Sequence, residues 1–357
     1  MSPNQPVPET LKRINMRRFL EALREGGTMS RADLTRATNV SAATSSKIIS
    51  ELEEMGLIEE LSEVIVTQGR PGRLCRLSQD SGWVVGVAVQ PHQVEIAIAG
   101  LDGQVVGEVQ LVQQSVPGES LGRSLAESVR GVTAGRKGNC LGVGVSVPGL
   151  VRGKTGVLEY SPMISVNAPL KLESELATHL GTRVALVQEN HGLTLAEQYL
   201  GDAKHTSNFL LVDVGDGVGM SAVDQGRILF GRDGFTAELG HIVVDPSGAP
   251  CVCGNRGCLQ TFANDPALRL NAQVGIEALG RALGSAANLY NPSTIFVSGT
   301  YFADRSSLQA LDRQVRKFVL GPIGKELVVR HTTVTKVLGA IAGIQDAIFS
   351  AAGPQLV

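Results

Sequence analysis

An internal repeat in the second part of the chain constrains the fold more than any other feature of the sequence. An apolar run at Val84–Val89 is followed by a turn, an alternating run, a second turn and Val105-Val106. The same order returns in Phe209–Val214, the glycine-rich turn Gly215–Gly219, a further apolar run and Ile228-Leu229. Segments with helical spacing follow each copy. Two copies of strand–turn–strand–turn–strand predict a duplicated α/β unit with a cleft between two lobes.

Composition excludes several classes of protein. The chain has 357 residues, 43% hydrophobic and 18% charged, which suits two or three globular domains rather than a disordered chain. No apolar run reaches the roughly 18 residues of a membrane helix, and Met1–Thr10 lacks the apolar segment of a signal peptide. Five cysteines in a chain of this length do not form a disulfide framework. We therefore expect a soluble, cytoplasmic protein that has no membrane partner.

Charge is distributed unevenly along the chain. The formal net charge of −2 argues against a protein that binds nucleic acid over its whole surface. Residues 1–50, however, contain eight lysines and arginines against four acidic residues. A basic segment of this kind permits local DNA binding despite the near-neutral total.

Residues 1–80 follow the pattern of a helix-turn-helix. A helical apolar stripe ends at Gly26-Gly27, Ser30 opens a capping-box pattern, and Ser41 can cap a third helix that runs to about Met55. The buried face of that third helix is predicted to consist of Ile48, Ile49, Leu52 and Met55. Its opposite face would let the backbone approach base edges while a lysine reaches phosphate. The predicted DNA contacts on this face are Ser41, Ala43, Thr44, Ser46 and Lys47.

A basic β-ribbon is predicted after the third helix. Glu63–Thr67 and Arg73–Leu77 alternate as strands do, and a Gly/Pro-rich tip joins them. Arg70 and Arg73 at this tip suit a narrow minor groove, where the negative potential is enhanced. Helices followed by such a wing predict a DNA-binding domain, and the alternative is a helical protein-interaction module with a solvated charged face.

The most specific motif of the chain combines one histidine with three cysteines. His241 is followed by Cys251-Val-Cys253 and then by Cys258. Four such ligands complete a tetrahedral zinc site that has no open position for water, which predicts a structural role. The alternatives are three reduced surface thiols or a redox function, neither of which explains the histidine or the intervening glycines. Glu238 precedes His241 by three residues, so the ion would fix the direction of its carboxylate.

The ordered set of motifs resembles the transcriptional-regulator branch of the ROK family (repressors, open reading frames, kinases). The matching segments are Gly69-Arg70-Pro71, Val147-Pro148-Gly149, Glu189-Asn190, Glu238-x-Gly240-His241 and the cysteine motif. The resemblance implies an α/β protein with an N-terminal winged helix-turn-helix over 1–80 and a two-lobed actin-like (RNase H-like duplicated) ROK domain over 81–357. Lobe one would cover about 81–195 plus the C-terminal helix, and lobe two about 196–335.

The same resemblance implies a set of sugar contacts. In the family, residues that match Asn190, Glu238 and His241 hydrogen-bond the hydroxyls of a sugar, and the backbone at Gly149 contacts it. His191 and Gln260 stand where the family commonly has acids, and both can still exchange hydrogen bonds with a ligand. Because two acids are replaced by neutral groups, the sequence leaves room for an acidic or phosphorylated sugar.

Departures from the kinase pattern predict that ATP is not used. The kinases carry an aspartate as base where this chain has His191, and their first phosphate loop aligns with Ala88–Gln93, which lacks the acid and the glycines. Pro91 within it also removes a backbone donor. Asp216 adds negative charge to the second loop, and the adenine-side double glycine is Gly299-Thr300. We expect neither ATP hydrolysis nor sugar phosphorylation.

These inferences predict a sugar-responsive transcriptional regulator, a repressor, that binds a double-stranded operator as a homodimer or homotetramer. Two alternatives remain open. One is an ATP-dependent sugar kinase that carries a DNA-binding domain, with His191 as its base. The other is a regulator that is controlled by a protein partner instead of a sugar.

Overall fold

The structure, a computed structural model, describes residues 8–65, 72–79, 82–113, 120–153 and 155–352. Within these ranges the chain forms an N-terminal head followed by two five-stranded sheets with helices around them. None of the helices described in these ranges combines the length and apolar character needed to cross a membrane.

The head contains three helices and a small antiparallel sheet. Its elements are α1 (Pro8–Gly26), β1 (Met29–Ser30), α2 (Arg31–Thr38), α3 (Ala42–Glu54), β2 (Ile58–Ile65) and β3 (Gly72–Leu77). The three strands lie in the order β1-β3-β2. This is the mixed arrangement of helices and ribbon that the sequence predicts.

Local capping determines where the helices of the head begin. The Ser30 side chain accepts a hydrogen bond from the Asp33 backbone amide, and the Ser41 side chain accepts one from that of Thr44. Between the two helices Asn39 takes a left-handed conformation with φ 53°, which turns the chain sharply. Both predicted caps are therefore confirmed.

Two details of the head differ from the sequence prediction. Met55 was expected on the buried face of the third helix but is 51% exposed, because α3 ends at Glu54 and Met55 lies in its cap. The first wing strand begins at Ile58, ahead of the predicted Glu63, since it pairs with β3 from Leu77 onward. The tip of the wing, residues 66–71 with Arg70, lies outside the described residues.

The first sheet has the strand order β10-β7-β4-β5-β6. The elements of this region are β4 (Gly82–Val89), β5 (Gln93–Gly100), β6 (Gln110–Gln113), α4 (Leu121–Thr133), β7 (Asn139–Val147), β8 (Leu150–Arg152), β9 (Val157–Tyr160), α5 (Leu172–Leu180), β10 (Val184–Gln188) and α6 (Glu189–Tyr199). A short 3-10 helix covers Pro162–Ile164, and β8 pairs with β9 as a separate ribbon.

The second sheet has the strand order β13-β12-β11-β14-β15. The elements of this region are β11 (Phe209–Val214), β12 (Val218–Asp224), β13 (Arg227–Ile228), α7 (Gln260–Ala263), α8 (Asp265–Leu270), α9 (Ala272–Tyr290), β14 (Thr294–Ser298), α10 (Arg305–Phe318), α11 (Gly321–Glu326), β15 (Val328–His331) and α12 (Lys336–Ala352). Two 3-10 helices cover Leu239–His241 and Thr300–Ala303.

The two sheets correspond strand for strand, which confirms the predicted duplication. In each, three antiparallel strands (β4-β5-β6 and β11-β12-β13) are extended by two parallel ones (β7-β10 and β14-β15). The prediction of a third strand at Val105-Val106 is wrong. Only Val105 makes an isolated bridge, to Ala99, and the true third strand begins at Gln110 because the chain turns through Gly107 first.

The C-terminal helix packs onto the first sheet at unusually short range. Gly86, Gly142 and Gly144 face α12, and a methyl group on Gly144 would lie 1.8 Å from the carbonyl oxygen of Ala340. Ile341 and Ile344 of α12 are fully buried against these strands. Strand residues without a side chain therefore allow the helix backbone to approach the sheet.

The head shares its hydrophobic core with the first sheet. Phe19 and Leu20 of α1 belong to the same buried cluster as Ile348 and Phe349 of α12. Polar contacts reinforce the seam, since Arg17 donates to the Ser350 hydroxyl at 2.9 Å. The head is thus packed on the last turns of α12 and is not a separate core.

Replacing Gly144 with Ala is expected to lower the free energy of unfolding by about 2–3 kcal/mol, because the added methyl group must push β7 and α12 apart. Gly131→Ala is the matched control, since the added Cβ on this exposed residue of α4 meets nothing within 4 Å. It should be neutral or stabilising by up to about 1 kcal/mol. Urea denaturation followed by circular dichroism measures both, and wild-type stability of Gly144→Ala would contradict the close approach.

Candidate ligand cavity, metal cluster and DNA-binding face

The outer face of α3 is exposed to solvent. Ile48, Ile49 and Leu52 are buried, and the opposite side is open to solvent. The exposed residues there include Ser41, Ala43, Thr44, Ser46 and Lys47. All five predicted contacts of this helix therefore lie on one accessible surface, although the Ser41 hydroxyl already caps the helix.

The wing arginine within the described residues is paired with an acid. Arg73 is 71% exposed, and its guanidinium lies 2.8 Å from Glu60, which also accepts from Arg31. Burial alone would raise the pKa of Glu60, but the two arginines outweigh it and hold that pKa below its usual value. Arg73 is consequently oriented at the base of the wing. Arg70 lies outside the described part of the chain.

The predicted metal ligands converge. The ligand atoms of His241, Cys251, Cys253 and Cys258 all lie within 4.8 Å of one another. Cys251 Sγ is 3.7 Å from His241 Nδ1, and Cys253 Sγ is 3.6 Å from Cys258 Sγ. A tetrahedron of bonds about 2.3 Å long has edges of about 3.8 Å, so these separations suit one metal ion at the centre.

Two glycines allow the loop between these cysteines to close. Gly254 has φ 93° and Gly257 has φ 65°, conformations that residues with a side chain rarely adopt. A methyl group on Gly257 would lie only 1.5 Å from the Asp245 carbonyl oxygen. The loop can therefore double back on itself and bring its three thiols to one point.

A cavity of about 540 Å³ lies between the two sheets, next to the metal cluster. Its wall includes Gly149, Glu238, His241 and Gln260, four of the six residues predicted to contact a sugar. Gln260 Nε2 donates to Cys251 Sγ at 3.1 Å, so its side chain joins the cluster to the cavity. His241 likewise belongs to both the cluster and the wall.

The other two predicted contacts do not line this cavity. Asn190 is 95% buried behind Gly219, where an added Cβ would lie 2.0 Å from its Nδ2 atom. Its Oδ1 atom has no hydrogen-bond partner among the described residues. His191 packs edge-to-face on Phe230 with ring centroids 4.9 Å apart, and burial lowers the pKa of its imidazole to about 4. The structure thus brings Asn190 close to the wall but turns His191 away.

An ion-pair network at the cavity wall was missed by the sequence reasoning. Lys336 Nζ lies 2.9 Å from Glu189 and 3.3 Å from Asp213, which also accepts from the Ser298 hydroxyl. Burial opposes the charge on Lys336, but the two carboxylates raise its pKa above the usual value. Burial also raises the pKa of Glu189. No motif marks Lys336, and its only signal is a charge at the start of an apolar helix.

The charge of the cavity wall favours a neutral ligand, and the expectation of an acidic sugar stays a prediction. Among the described lining residues four carboxylates face one ammonium group, that of Lys336. The carboxylates are Glu189, Asp213, Asp216 and Glu238. A phosphorylated sugar would meet net repulsion here, whereas neutral hydroxyl groups would meet acceptors. Desolvation raises the pKa of Glu238, whose carboxylate has no protein partner within the described ranges.

Two turns align with the phosphate-binding loops of the kinases, and in both a backbone amide donates its hydrogen bond to a carbonyl within the same turn. The Gln90 amide donates to the Gln93 carbonyl at 2.9 Å, and Pro91 between them has no amide hydrogen. In the second turn the Gly215 amide donates to Gly217 at 3.0 Å, and Asp216 is exposed. These amides are therefore not available as a cradle for phosphate oxygens.

Comparison with family models gives two matches. Residues 84–277, more than half of the chain, match the model of the ROK family. Residues 13–59 match the model of a winged helix-turn-helix DNA-binding domain. The first match lies within the body described above and the second within the head.

Relatives include both regulators and an enzyme. The DNA-binding transcriptional dual regulator NagC of Escherichia coli is 26% identical over 96% of this chain and 95% of its own length. The xylose repressor of Caldicellulosiruptor bescii is 27% identical over 72% of this chain, which spans 65% of that relative. The glucokinase of Thermotoga maritima is 28% identical over 73% of this chain and 77% of its own length.

A solved structure agrees with the fold over nearly the whole chain. A ROK family transcriptional regulator, a homologue of the E. coli MLC protein, superposes with a TM-score of 0.83. It is 24% identical in sequence, and the match covers 96% of this chain and 98% of that structure. Its fold and the family model lead to the same result, and this chain belongs to the ROK family.

Proposed function

We propose that the protein is a DNA-binding transcriptional regulator, a repressor, that responds to a sugar or sugar derivative bound in the cavity between the two sheets. One observation carries the proposal. A winged helix-turn-helix packs directly on α12, and the first residue of that helix, Lys336, lies on the cavity wall. The names of NagC and of the xylose repressor support the same class of function.

In the DNA complex α3 enters the major groove. Ala43, Thr44 and Ser46 are short enough to let the helix backbone approach base edges, while Lys47 reaches a phosphate. Arg70 and Arg73 of the wing contact the neighbouring minor groove. A homodimer or homotetramer presents two heads to half-sites about 34 Å apart.

The sugar hydroxyls are bound by groups that already face the cavity or lie directly behind it. Glu238 accepts from hydroxyls because its carboxylate has no donor among the described residues, and Gln260 and the Gly149 backbone complete the contacts. Asn190 supplies a buried oxygen that has no hydrogen-bond partner in the part of the chain that the structure describes. Contact between His191 and the sugar remains a prediction. It requires movement of the cavity wall, because His191 does not line the cavity in this structure. Binding favours the arrangement of the two sheets that fits the ligand, and thereby changes DNA affinity.

A zinc ion held by His241, Cys251, Cys253 and Cys258 has a structural role. The four side chains fill a tetrahedron, so the ion supplies stability to the loop and keeps no open position for chemistry. Its effect on ligand binding is indirect. His241 and Gln260 stand in the cavity wall, and the closed loop holds both in place.

The protein binds sugar without phosphorylating it. A nucleotide would bring several negative charges toward Asp213 and Asp216, and the turns that would hold its phosphates are closed. The similarity to a glucokinase favours the alternative, an ATP-dependent sugar kinase with a DNA-binding head. That enzyme would need His191 as its base, and an imidazole with a pKa of about 4 on the ring of Phe230 is poorly suited to the task.

A gel shift on the DNA upstream of its own gene, repeated with a panel of neutral, acidic and phosphorylated sugars, tests the proposal. One sugar should release the DNA, and Glu238→Gln should need at least about tenfold more of it while binding free DNA normally, because a charge-assisted hydrogen bond is lost. Glu326→Gln, at an exposed glutamate of α11, is the control.

Two results of the same experiment contradict the proposal. Release by no sugar would favour control by a protein partner. Sugar-dependent release of ADP, after ATP is added to the samples, would make the protein a kinase.

Lys47→Ala is expected to weaken operator binding and to reduce the slope of log affinity against log salt concentration by about one, because one phosphate contact is lost. Lys317→Ala, an equally exposed lysine on α10, should change neither quantity. Fluorescence anisotropy over a series of salt concentrations measures both. An unchanged slope for Lys47→Ala would contradict the proposal that α3 enters the major groove.

Cys258→Ser is expected to remove the zinc, because serine is a poor ligand for this ion and three remaining ligands bind it weakly. Cys140→Ser is the control, since Cys140 lies outside the cluster. Elemental analysis of the purified proteins should find about one zinc per chain in the wild type and in the control, with little in Cys258→Ser. A wild-type protein without zinc would refute the assignment.

A further inference from the structure

A second cavity, of about 730 Å³, opens where the head meets the rest of the protein. Arg24 and Glu25 of α1 form one side, and the end of α6 with Asp346 of α12 forms another. The third side comes from the loop before β11 and the turn between β12 and β13, with Lys204 and Arg227. Four separate segments of the chain therefore surround one space.

The cations of this cavity outnumber the acids among the lining residues that the structure describes. Arg24, Lys204 and Arg227 have no carboxylate oxygen within 4.0 Å among the described residues. Of the two acids in the wall, Asp346 accepts from the Tyr199 hydroxyl at 2.6 Å and lies 3.9 Å from Arg17. Glu25, the second acid, is exposed to solvent, so one acidic side chain remains to offset the charge of three cations in the described wall.

Arg24 is held in a fixed orientation. Its guanidinium lies over the Tyr199 ring, 3.7 Å from the centroid, with Phe349 at 5.1 Å. The Nη1 atom is buried and has no hydrogen-bond partner among the residues that the structure describes. A buried donor without a partner is costly in a folded protein. Arg24 as a whole is half-buried and lines the cavity, so an acceptor bound there would reach its guanidinium group.

The planar shape of the guanidinium favours an acceptor that has two oxygens side by side. Its fork of N–H groups matches the paired oxygens of a phosphate group, and the contact with the Tyr199 ring holds the guanidinium in place in advance. Lys204 and Arg227 are exposed, and they add positive charge without imposing a fixed geometry. Long, flexible cations around one rigid arginine suit a compact oxyanion.

We propose that this cavity binds the phosphate group of a small molecule. The ligand would touch α1 of the head together with residues from the body, so its binding would stabilise one orientation of the head and change DNA affinity. The site is distinct from the acidic cavity between the sheets, which disfavours such a ligand. It does not depend on the identity of the sugar proposed above.

Inorganic phosphate titrated into the full-length protein, followed by calorimetry at constant ionic strength, tests the proposal. The wild type should bind phosphate, and the double variant Lys204→Gln/Arg227→Gln should bind it at least about tenfold more weakly. Lys317→Gln/Lys325→Gln removes the same charge from exposed positions on α10 and α11, and should bind phosphate like the wild type. Arg24→Lys keeps the charge but loses the planar fork, and should also bind phosphate weakly.

Three outcomes would overturn the proposal. One is a wild type that gives no heat with phosphate. Another is equal phosphate affinity in all variants whose thermal unfolding matches the wild type. The third uses duplex DNA as the probe. If the Lys204→Gln/Arg227→Gln variant loses salt dependence in DNA binding but keeps its phosphate affinity, these cations contact the DNA backbone instead.

Discussion

The close contact between α12 and the first sheet is the constraint on which the rest of the structure depends. Glycines at positions 86, 142 and 144 contribute no side chains to the contact, so α12 lies close against β4 and β7, with Ile341 and Ile344 packed directly on the strand backbone. This placement brings Lys336 to the inter-sheet cavity, Ile341 and Ile344 into the core, and Asp346 to the seam with the head. One helix thereby contributes to the cavity, the core and the DNA-binding domain.

The helix α6 has a similar double position. Its first residue, Glu189, lies on the wall of the acidic cavity, and its last, Tyr199, lies under Arg24 of the head. Eleven helical residues span about 16 Å, so the two cavities occupy opposite ends of one rigid element. The ends differ in charge, since carboxylates predominate at the first and cations at the second among the described lining residues. Ligands of opposite chemistry could thus act on the same helix.

Features that depend on neighbours in the sequence were predictable, whereas features that depend on distant contacts were not. The caps at Ser30 and Ser41, the duplicated strands and the thiol cluster follow from local spacing, and the family model confirms the fold. The ion pairs of Lys336 could not be foreseen, because Glu189 and Asp213 meet it only after two sheets have folded. The direction of His191 is equally non-local, since Phe230 comes from another part of the chain.

The shared core between α1 and α12 has a consequence for engineering hybrid regulators. Phe19 and Leu20 of the head pack with Ile348 and Phe349, and Arg13 donates to the Ala351 carbonyl at 2.9 Å. A domain exchange that cuts between the head and the first sheet would therefore pack a foreign α1 against the end of α12, whose side chains fit the original α1. The exchangeable unit is discontinuous in sequence, and it consists of the head together with the last two turns of the C-terminal helix.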